Sequence, residues 1–208
     1  MLITRIELVK KDLYRIDLDY EFAFALYARE IRQYGLKEGM EISEELKTTL
    51  EKEIVLKRAR KKAMMLLKYS DRTKEELRKR LIEASFSITM AEEAIAYVES
   101  YGYVNDERYI ENYVVFKKDS KSRKQIEMEL VKKGISKQQV TQYLEENDWD
   151  ETEILQGLVE KRLAGKKIQD EKEMQKHYGY FMRKGYSYYA VKKAIQEYMD
   201  VLEAEENG

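Results

Sequence analysis

The first 25 residues alternate apolar and polar positions with a period of two, and nearly everything after them repeats with the period of a helix. Leu2, Thr4, Ile6 and Leu8 fall on one side of a first extended run, Tyr14, Ile16 and Leu18 form a second, and Phe22 and Phe24 a third. Such alternation marks half-buried strands. Lys10-Lys11-Asp12 and Asp19-Tyr20-Glu21 supply turns, so a small antiparallel meander is predicted, too small to be a domain alone. A short helix is expected over Leu26–Tyr34, stopped at Gly35, and Ser43 then caps a long, kinkable helix reaching about Tyr69.

Helices follow near 73–84, 89–101, 106–118, 122–133 and 136–147, then one capped by Asp148 or Asp150 and running to about Ala164, and two more near 170–184 and 187–202. Their apolar residues recur three and four apart: Ile110, Tyr113 and Val114; Ile126 and Leu130; Val140, Tyr143 and Leu144; Val191, Ala194, Ile195, Tyr198 and Leu202. Four capping boxes mark starts, pairing Thr73 with Glu76, Thr89 with Glu92, Ser122 with Gln125 and Ser136 with Gln139.

Three turns align. Leu81-Ile82-Glu83-Ala84-Ser85-Phe86-Ser87 matches Leu130-Val131-Lys132-Lys133-Gly134-Ile135-Ser136 and Phe181-Met182-Arg183-Lys184-Gly185-Tyr186-Ser187. Each has an apolar anchor, a helix-ending Gly or Ser, an apolar plug and a Ser. The anchors are 49 residues apart (81 to 130) and 51 apart (130 to 181), a step that suits a helical-repeat array. The fold class predicted is mainly α: an elongated array of three tandem three-helix repeats (54–104, 105–148 and 149–208), preceded by an N-terminal antiparallel β/α segment (1–53) of meander plus helix.

Composition narrows the function. Proline is absent, so nothing interrupts long helices. Cysteine is absent too, which removes disulfides and thiolate zinc sites and fits a reducing interior. The N-terminus is broken by charges too often for a signal peptide, and no apolar run is long enough to span a membrane, so a cytoplasmic protein is expected. Asp17, Asp19 and Glu21 lack the Gly and distal Glu of a calcium loop and read as turn and strand carboxylates. His177 lies on an apolar helix face and reads as a core histidine, because no second His or Cys accompanies it. Gly165-Lys166-Lys167 lacks the upstream glycine of a phosphate-binding loop. No catalytic constellation emerges, and no cofactor, metal site or enzymatic activity is expected. The 17 tyrosines serve either as amphipathic gap fillers or as a partner- or base-stacking surface.

Charge is informative only locally. The 39 basic and 40 acidic residues leave a net charge of −1, so total charge gives no nucleic-acid signature. Residues 54–104 nevertheless carry 11 basic against 7 acidic groups, and the stretch from Ile54 to Ser70 holds no acid. Lys57, Arg58, Arg60, Lys61 and Lys62 lie there; Arg72, Arg78 and Lys79 follow; Lys117, Lys118, Lys121, Arg123 and Lys124 form a second cluster, extended by Lys132 and Lys133. Each cluster is either a solvated helix face or a surface for phosphates or an acidic protein groove.

The residues Ala63-Met64-Met65-Leu66-Leu67, Thr73-Lys74-Glu75-Glu76-Leu77-Arg78-Lys79-Arg80-Leu81, Tyr101-Gly102-Tyr103-Val104-Asn105-Asp106 with Tyr109 and Tyr113-Val114, and Ile126-Glu127-Met128-Glu129-Leu130-Val131-Lys132-Lys133-Gly134-Ile135 resemble the RecX family. The resemblance covers residues 54–147 well and the third repeat and N-terminal strands more loosely. The chain departs from the family's pattern at Ala84-Ser85, where Lys-Gly is usual, implying a differently capped helix end, and at Ile110, where a small residue is favoured, implying bulkier packing. The resemblance implies a regulator that lies in the groove of the RecA–DNA filament and lowers recombinase and co-protease activity; the chain itself shows no sustained heptad seam, so a monomer is expected. Its three basic clusters would face the filament, with at most weak binding to free single- or double-stranded DNA. The alternative is a direct DNA-binding protein of helix–turn–helix type, each unit offering a helix to a major groove.

Overall fold

Strand β1 (Ile3–Lys10) pairs antiparallel with β2 (Leu13–Leu18), and β2 with β3 (Glu21–Tyr27), giving the sheet order β1-β2-β3 expected of a meander. This computed structural model describes residues 1–166 and 170–206; Lys167 of the Gly165-Lys166-Lys167 segment and the last two residues of the expected third repeat lie outside the described residues. The chain divides into two compact units, Met1–Asp106 and Glu107–Gly208.

In the first unit the hairpins turn where Lys11, Asp19 and Tyr20 adopt positive φ. The Asp19 carboxylate accepts the Leu2 N–H at 2.8 Å. The inward face of β1 is not the one that strict alternation selects. A register shift between Ile3 and Arg5 places Ile3, fully buried, and Ile6 against the same core, while Leu8 is 54% exposed. A bulge inserts one residue and so exchanges faces. A second shift, between Ile16 and Asp17, skips Ala23 on β3, and Ile16, Asp17 and Leu18 are buried in succession.

Helix α1 (Ala28–Gln33) leads to α2 (Glu44–Thr49), whose cap Ser43 accepts the Leu46 N–H at 3.2 Å. The long helix is realised as α2, a π-helical stretch Leu50–Leu56 and α3 (Lys57–Tyr69). Wider turns in that stretch shift the apolar stripe. Leu50, Val55, Leu56, Ala59 and Ala63 are all buried as a result. α4 (Lys74–Glu83) and α5 (Ile88–Ser100) close the unit, adding Leu77, Leu81, Met90, Ala94 and Val98 to the core shared with Phe24 and Leu26.

The second unit contains α6 (Asp106–Lys117, its first residue in the first unit), α7 (Arg123–Lys132), α8 (Lys137–Glu146), α9 (Thr152–Leu163), α10 (Glu171–Arg183) and α11 (Tyr188–Glu206). Ile110, Val114, Ile126, Leu130, Ile135, Val140 and Leu144 form one core; Leu155, Val159, Leu163, Phe181, Tyr186, Val191 and Ile195 form another.

The three aligned turns share one geometry. Phe86, Ile135 and Tyr186 each donate their N–H to the anchor carbonyl of Leu81, Leu130 or Phe181 at 3.2–3.3 Å. Ser85, Gly134 and Gly185 donate to the next carbonyl along at 2.8–2.9 Å. These are Schellman closures with a left-handed residue, at φ 69°, 90° and 94°. Ser85 therefore keeps the glycine-type conformation, and the expected difference in capping does not arise. Ser87, Ser136 and Ser187 then accept the N–H three residues on, at 3.2–3.3 Å. Ser87, rather than Thr89, is thus the cap of α5, because the plug must be followed at once by a cap, and Glu92 is left to pair elsewhere. Thr73 with Glu76 forms the full box, whereas Ser122 and Ser136 each supply only the hydroxyl half. α9 begins after Glu151, with Asp150 accepting the Thr152 N–H at 2.8 Å.

One joint occurs twice. The Lys74 N–H at the start of α4 is taken by the Asp106 carboxylate at 2.9 Å, and the Arg123 N–H at the start of α7 by Glu151 at 2.6 Å. In each case the first turn of a repeat's middle helix is capped by an acid next to the first helix of the following repeat.

Candidate partner-binding surface

The acid-free stretch becomes α3, and its cations divide by helix face. Ala59 and Ala63 point inward, and Arg58 with them. Its guanidinium donates to both oxygens of Glu30 at 3.0 and 3.2 Å and to the Ala25 carbonyl, and lies 4.8 Å from the centroid of Tyr27. Glu30 in turn accepts the Tyr27 N–H at 2.7 Å. Arg58 thereby ties α3 to β3 and α1. Lys57 reaches Glu53 at 2.5 Å, one turn back, and holds that carboxylate below its usual range. Lys61 is exposed and Lys62 half-buried, neither with an acid partner among the described residues.

Arg60 stands over the Tyr97 ring at 4.6 Å, its Nε buried and without a hydrogen-bond partner. Arg72, half-buried, has the same unfilled Nε. Arg78 is claimed by two carboxylates, Glu92 and Glu75, and Lys79 reaches Glu75 at 3.5 Å. The Arg78 guanidinium is the main reason Glu92 sits below the usual carboxylate range.

In the second cluster Lys121 is 2.6 Å from both oxygens of Glu129, which also accepts the Tyr113 hydroxyl at 2.5 Å. Burial pushes the Glu129 carboxyl up, but these hydrogen bonds outweigh it and the group lies below its ordinary value. Burial and the neighbouring Glu129 push the Tyr113 phenol up to about 12. Arg123 lies 4.8 Å over the Trp149 ring and bonds Asp148 and the Leu144 carbonyl. Lys133 lies 5.5 Å over Tyr109. Lys117 and Lys118 are half-buried, and Lys124 and Lys132 exposed, with no acid partner among the described residues. Phe116, beside Lys117, is 84% exposed.

A tyrosine set that periodicity alone does not single out accompanies Arg60. Tyr97 and Tyr101 rings lie 4.9 Å apart and Tyr101 and Tyr103 6.0 Å apart, the latter pair within 12° of parallel. The four-residue step on α5 and the Tyr101-Gly102-Tyr103 turn, with Gly102 at φ 69°, were the available signals.

His177 is 5% exposed on α10 and its Nδ1 accepts from Arg162 Nε at 3.2 Å. Burial, reinforced by Arg162 and Lys166, lowers its pKa. It is a core histidine. Among the described residues no group of three or more His, Cys, Asp or Glu residues could hold a metal, and no helix is long and apolar enough to cross a membrane.

Residues 150–195 match the family model described as the third three-helix domain of RecX, the part where the sequence resemblance is looser. The chain is 33% identical over 199 residues to the regulatory protein RecX of Caldanaerobacter subterraneus subsp. tengcongensis, covering 94% of this chain and 98% of that protein. It is 30% identical over 208 residues to the regulatory protein RecX of Clostridioides difficile, covering 96% of each. Among solved structures, a crystal structure of regulatory protein RecX superposes with a TM-score of 0.63 over 94% of this chain and 98% of that one at 23% identity, a likeness of fold. RecX from Lactobacillus salivarius superposes with a TM-score of 0.60 at 25% identity, over 69% of this chain and 96% of that one.

Proposed function

The chain belongs to the RecX family of regulatory proteins, and from that membership we propose that it binds the RecA–DNA filament and lowers recombinase and co-protease activity. One observation carries the proposal: the correspondence with regulatory proteins runs the length of the chain, with 94% of it matched at 33% identity. The distribution of cations supports it. A near-neutral protein with local clusters does not adhere to all nucleic acid, and takes its affinity from a specific target that offers several contacts in a row.

In this proposal the repeats at 54–104, 105–148 and 149–208 follow the N-terminal segment 1–53 as successive contact modules. The filament-facing set is Lys57, Arg60, Lys61, Lys62, Arg72, Lys79, Lys117, Lys118, Lys124, Lys132 and Lys133. Arg58, Arg78, Lys121 and Arg123 belong to the same clusters but contribute by positioning, since they are half-buried and engaged within the fold, whereas Lys57 and Lys79 stay exposed although each pairs with a Glu one turn back. The protein acts without catalysis, as a cytoplasmic monomer.

The test is RecA-dependent ATP hydrolysis on single-stranded DNA with and without this protein. Inhibition is expected, and Lys61→Glu/Lys62→Glu/Lys124→Glu is expected to relieve it at unchanged melting temperature. Reversing Arg58 as well would set a new carboxylate beside Glu30 and unfold α3 from the sheet. Unaltered ATP hydrolysis at saturating protein overturns the proposal. Inhibition equal to wild type by the folded triple variant overturns the surface.

A further inference from the structure

We propose that Tyr97, Tyr101 and Tyr103, with Arg60, form a base-stacking site for single-stranded nucleic acid. The argument starts from Arg60. The other arginines of the basic clusters with filled forks are occupied: Arg58 by Glu30 and Ala25, Arg78 by Glu75 and Glu92, Arg123 by Asp148 and Leu144. Arg60 instead makes no hydrogen bond or ion pair among the described residues, although its Nε is buried and its guanidinium is held 4.6 Å over the Tyr97 ring. An arginine fixed by stacking, with its donors unused, is prepared for a planar or phosphate acceptor.

The rings continue from Arg60 outward. Tyr97 meets Tyr101 at 4.9 Å, and Tyr101 meets Tyr103 at 6.0 Å and 12°. Tyr101 is 60% exposed and Tyr103 51%. Two near-parallel phenol faces therefore stand in solvent, where burial in the protein's own core does not account for them. Bases present flat π-faces to such rings only when unpaired, which separates a single strand from a duplex. Charge agrees. Lys61 follows Arg60, and Lys57 lies one turn before it on an acid-free helix, placing cations where a strand's phosphates would run; the acid on α5 one turn before Tyr97 is Glu93. The inference does not require the recombinase and does not rest on the filament assignment.

The test is fluorescence anisotropy of a labelled oligothymidylate and of a duplex of equal length, using the full chain alone. The single strand is expected to bind more tightly than the duplex. Tyr101→Ala/Tyr103→Ala is expected to weaken single-strand binding about ten- to hundredfold, while Tyr101→Phe/Tyr103→Phe keeps it within about twofold, because the π-face is what stacks. Arg60→Ala is expected to weaken it and to reduce the salt slope by about one. Circular dichroism confirms the fold of each variant. No single-strand binding up to ~100 µM, the weak end of non-specific affinity, overturns the site. So does a stronger duplex complex, or a folded alanine pair that binds like wild type. An alanine pair that loses the oligonucleotide yet still inhibits ATP hydrolysis separates the two proposals; wild-type protein that binds the strand but leaves ATP hydrolysis untouched overturns only the filament assignment.

Discussion

Arg58 shows how one side chain can carry two meanings that sequence alone cannot separate. Its neighbours are Lys57, Arg60, Lys61 and Lys62, and in a string of five cations nothing marks one as internal. The partner that decides, Glu30, is 28 residues away. Arg58→Ala leaves that mostly buried carboxylate unpaired and is expected to destabilise the protein by roughly 3 kcal/mol in urea unfolding. Arg58→Met with Glu30→Gln is expected to recover most of it. Lys61→Ala, with no partner to strand, is expected to change stability by less than about 0.5 kcal/mol. His177 was legible by contrast, because its place on an apolar face and its lack of a second ligand settle its role locally. Its depressed pKa means that the unfolded chain binds a proton more readily than the folded one. The stability it contributes is therefore full above pH 6.5, its ordinary value, and lost as pH falls below that towards the depressed one. His177→Gln is expected to flatten the pH dependence of unfolding across that interval.

At the scale of the element, helix positions were readable because each start and stop has its own side-chain signal. Thr73 forms the box its spacing implies, while Ser122 and Ser136 mark their helix starts with the hydroxyl half alone. The misplaced start at Thr89 has a physical cause: Ser87 follows the buried plug directly, and the Schellman turn delivers the chain to that residue first. The β1 face was hidden because a bulge leaves no mark in residue type. Ser85 sits at φ 69° where its counterparts are glycine, so a Cβ is forced into a left-handed conformation. Ser85→Gly is expected to stabilise by about 0.5–1 kcal/mol, read as a higher urea midpoint. Gly185→Ala is expected to act oppositely, by about 2 kcal/mol or more. A Cβ there would meet the Ser122 Oγ at 2.5 Å, and that hydroxyl already donates to the Lys184 carbonyl. The tight approach joins the second and third repeats, and no pattern in either segment announces it.

For the whole molecule, the three-fold design was visible in the turns, yet the burial that supports it is uneven. The first unit adds Ile3, Ile16, Leu18, Phe24 and Leu26 of the sheet to its helices and builds one large core. The second unit distributes its apolar residues over two smaller cores. Small cores open more readily. Amides of α7 and α8 are accordingly expected to exchange hydrogen faster than those of α3 and α5, measured residue by residue under native conditions; equal protection would contradict this. Clusters of cations could be located from residue type, but which members remain free is set by pairings across helices, such as Arg78 with Glu92 over 14 residues.

The borrowed acid that caps the start of α4 and of α7 has a practical corollary. Asp106 opens α6 in sequence but stabilises α4 in space, and Glu151 does the same for α7. Neither of the first two modules is self-sufficient at its own last residue; each borrows a carboxylate from just past its border, whereas α10 in the third is capped by its own Asp170. A fragment ending at Asn105 would expose a frayed α4, and one extended through Asp106 would not. Dissection of this protein into working pieces should therefore overlap its neighbours, like tiles, instead of meeting them edge to edge.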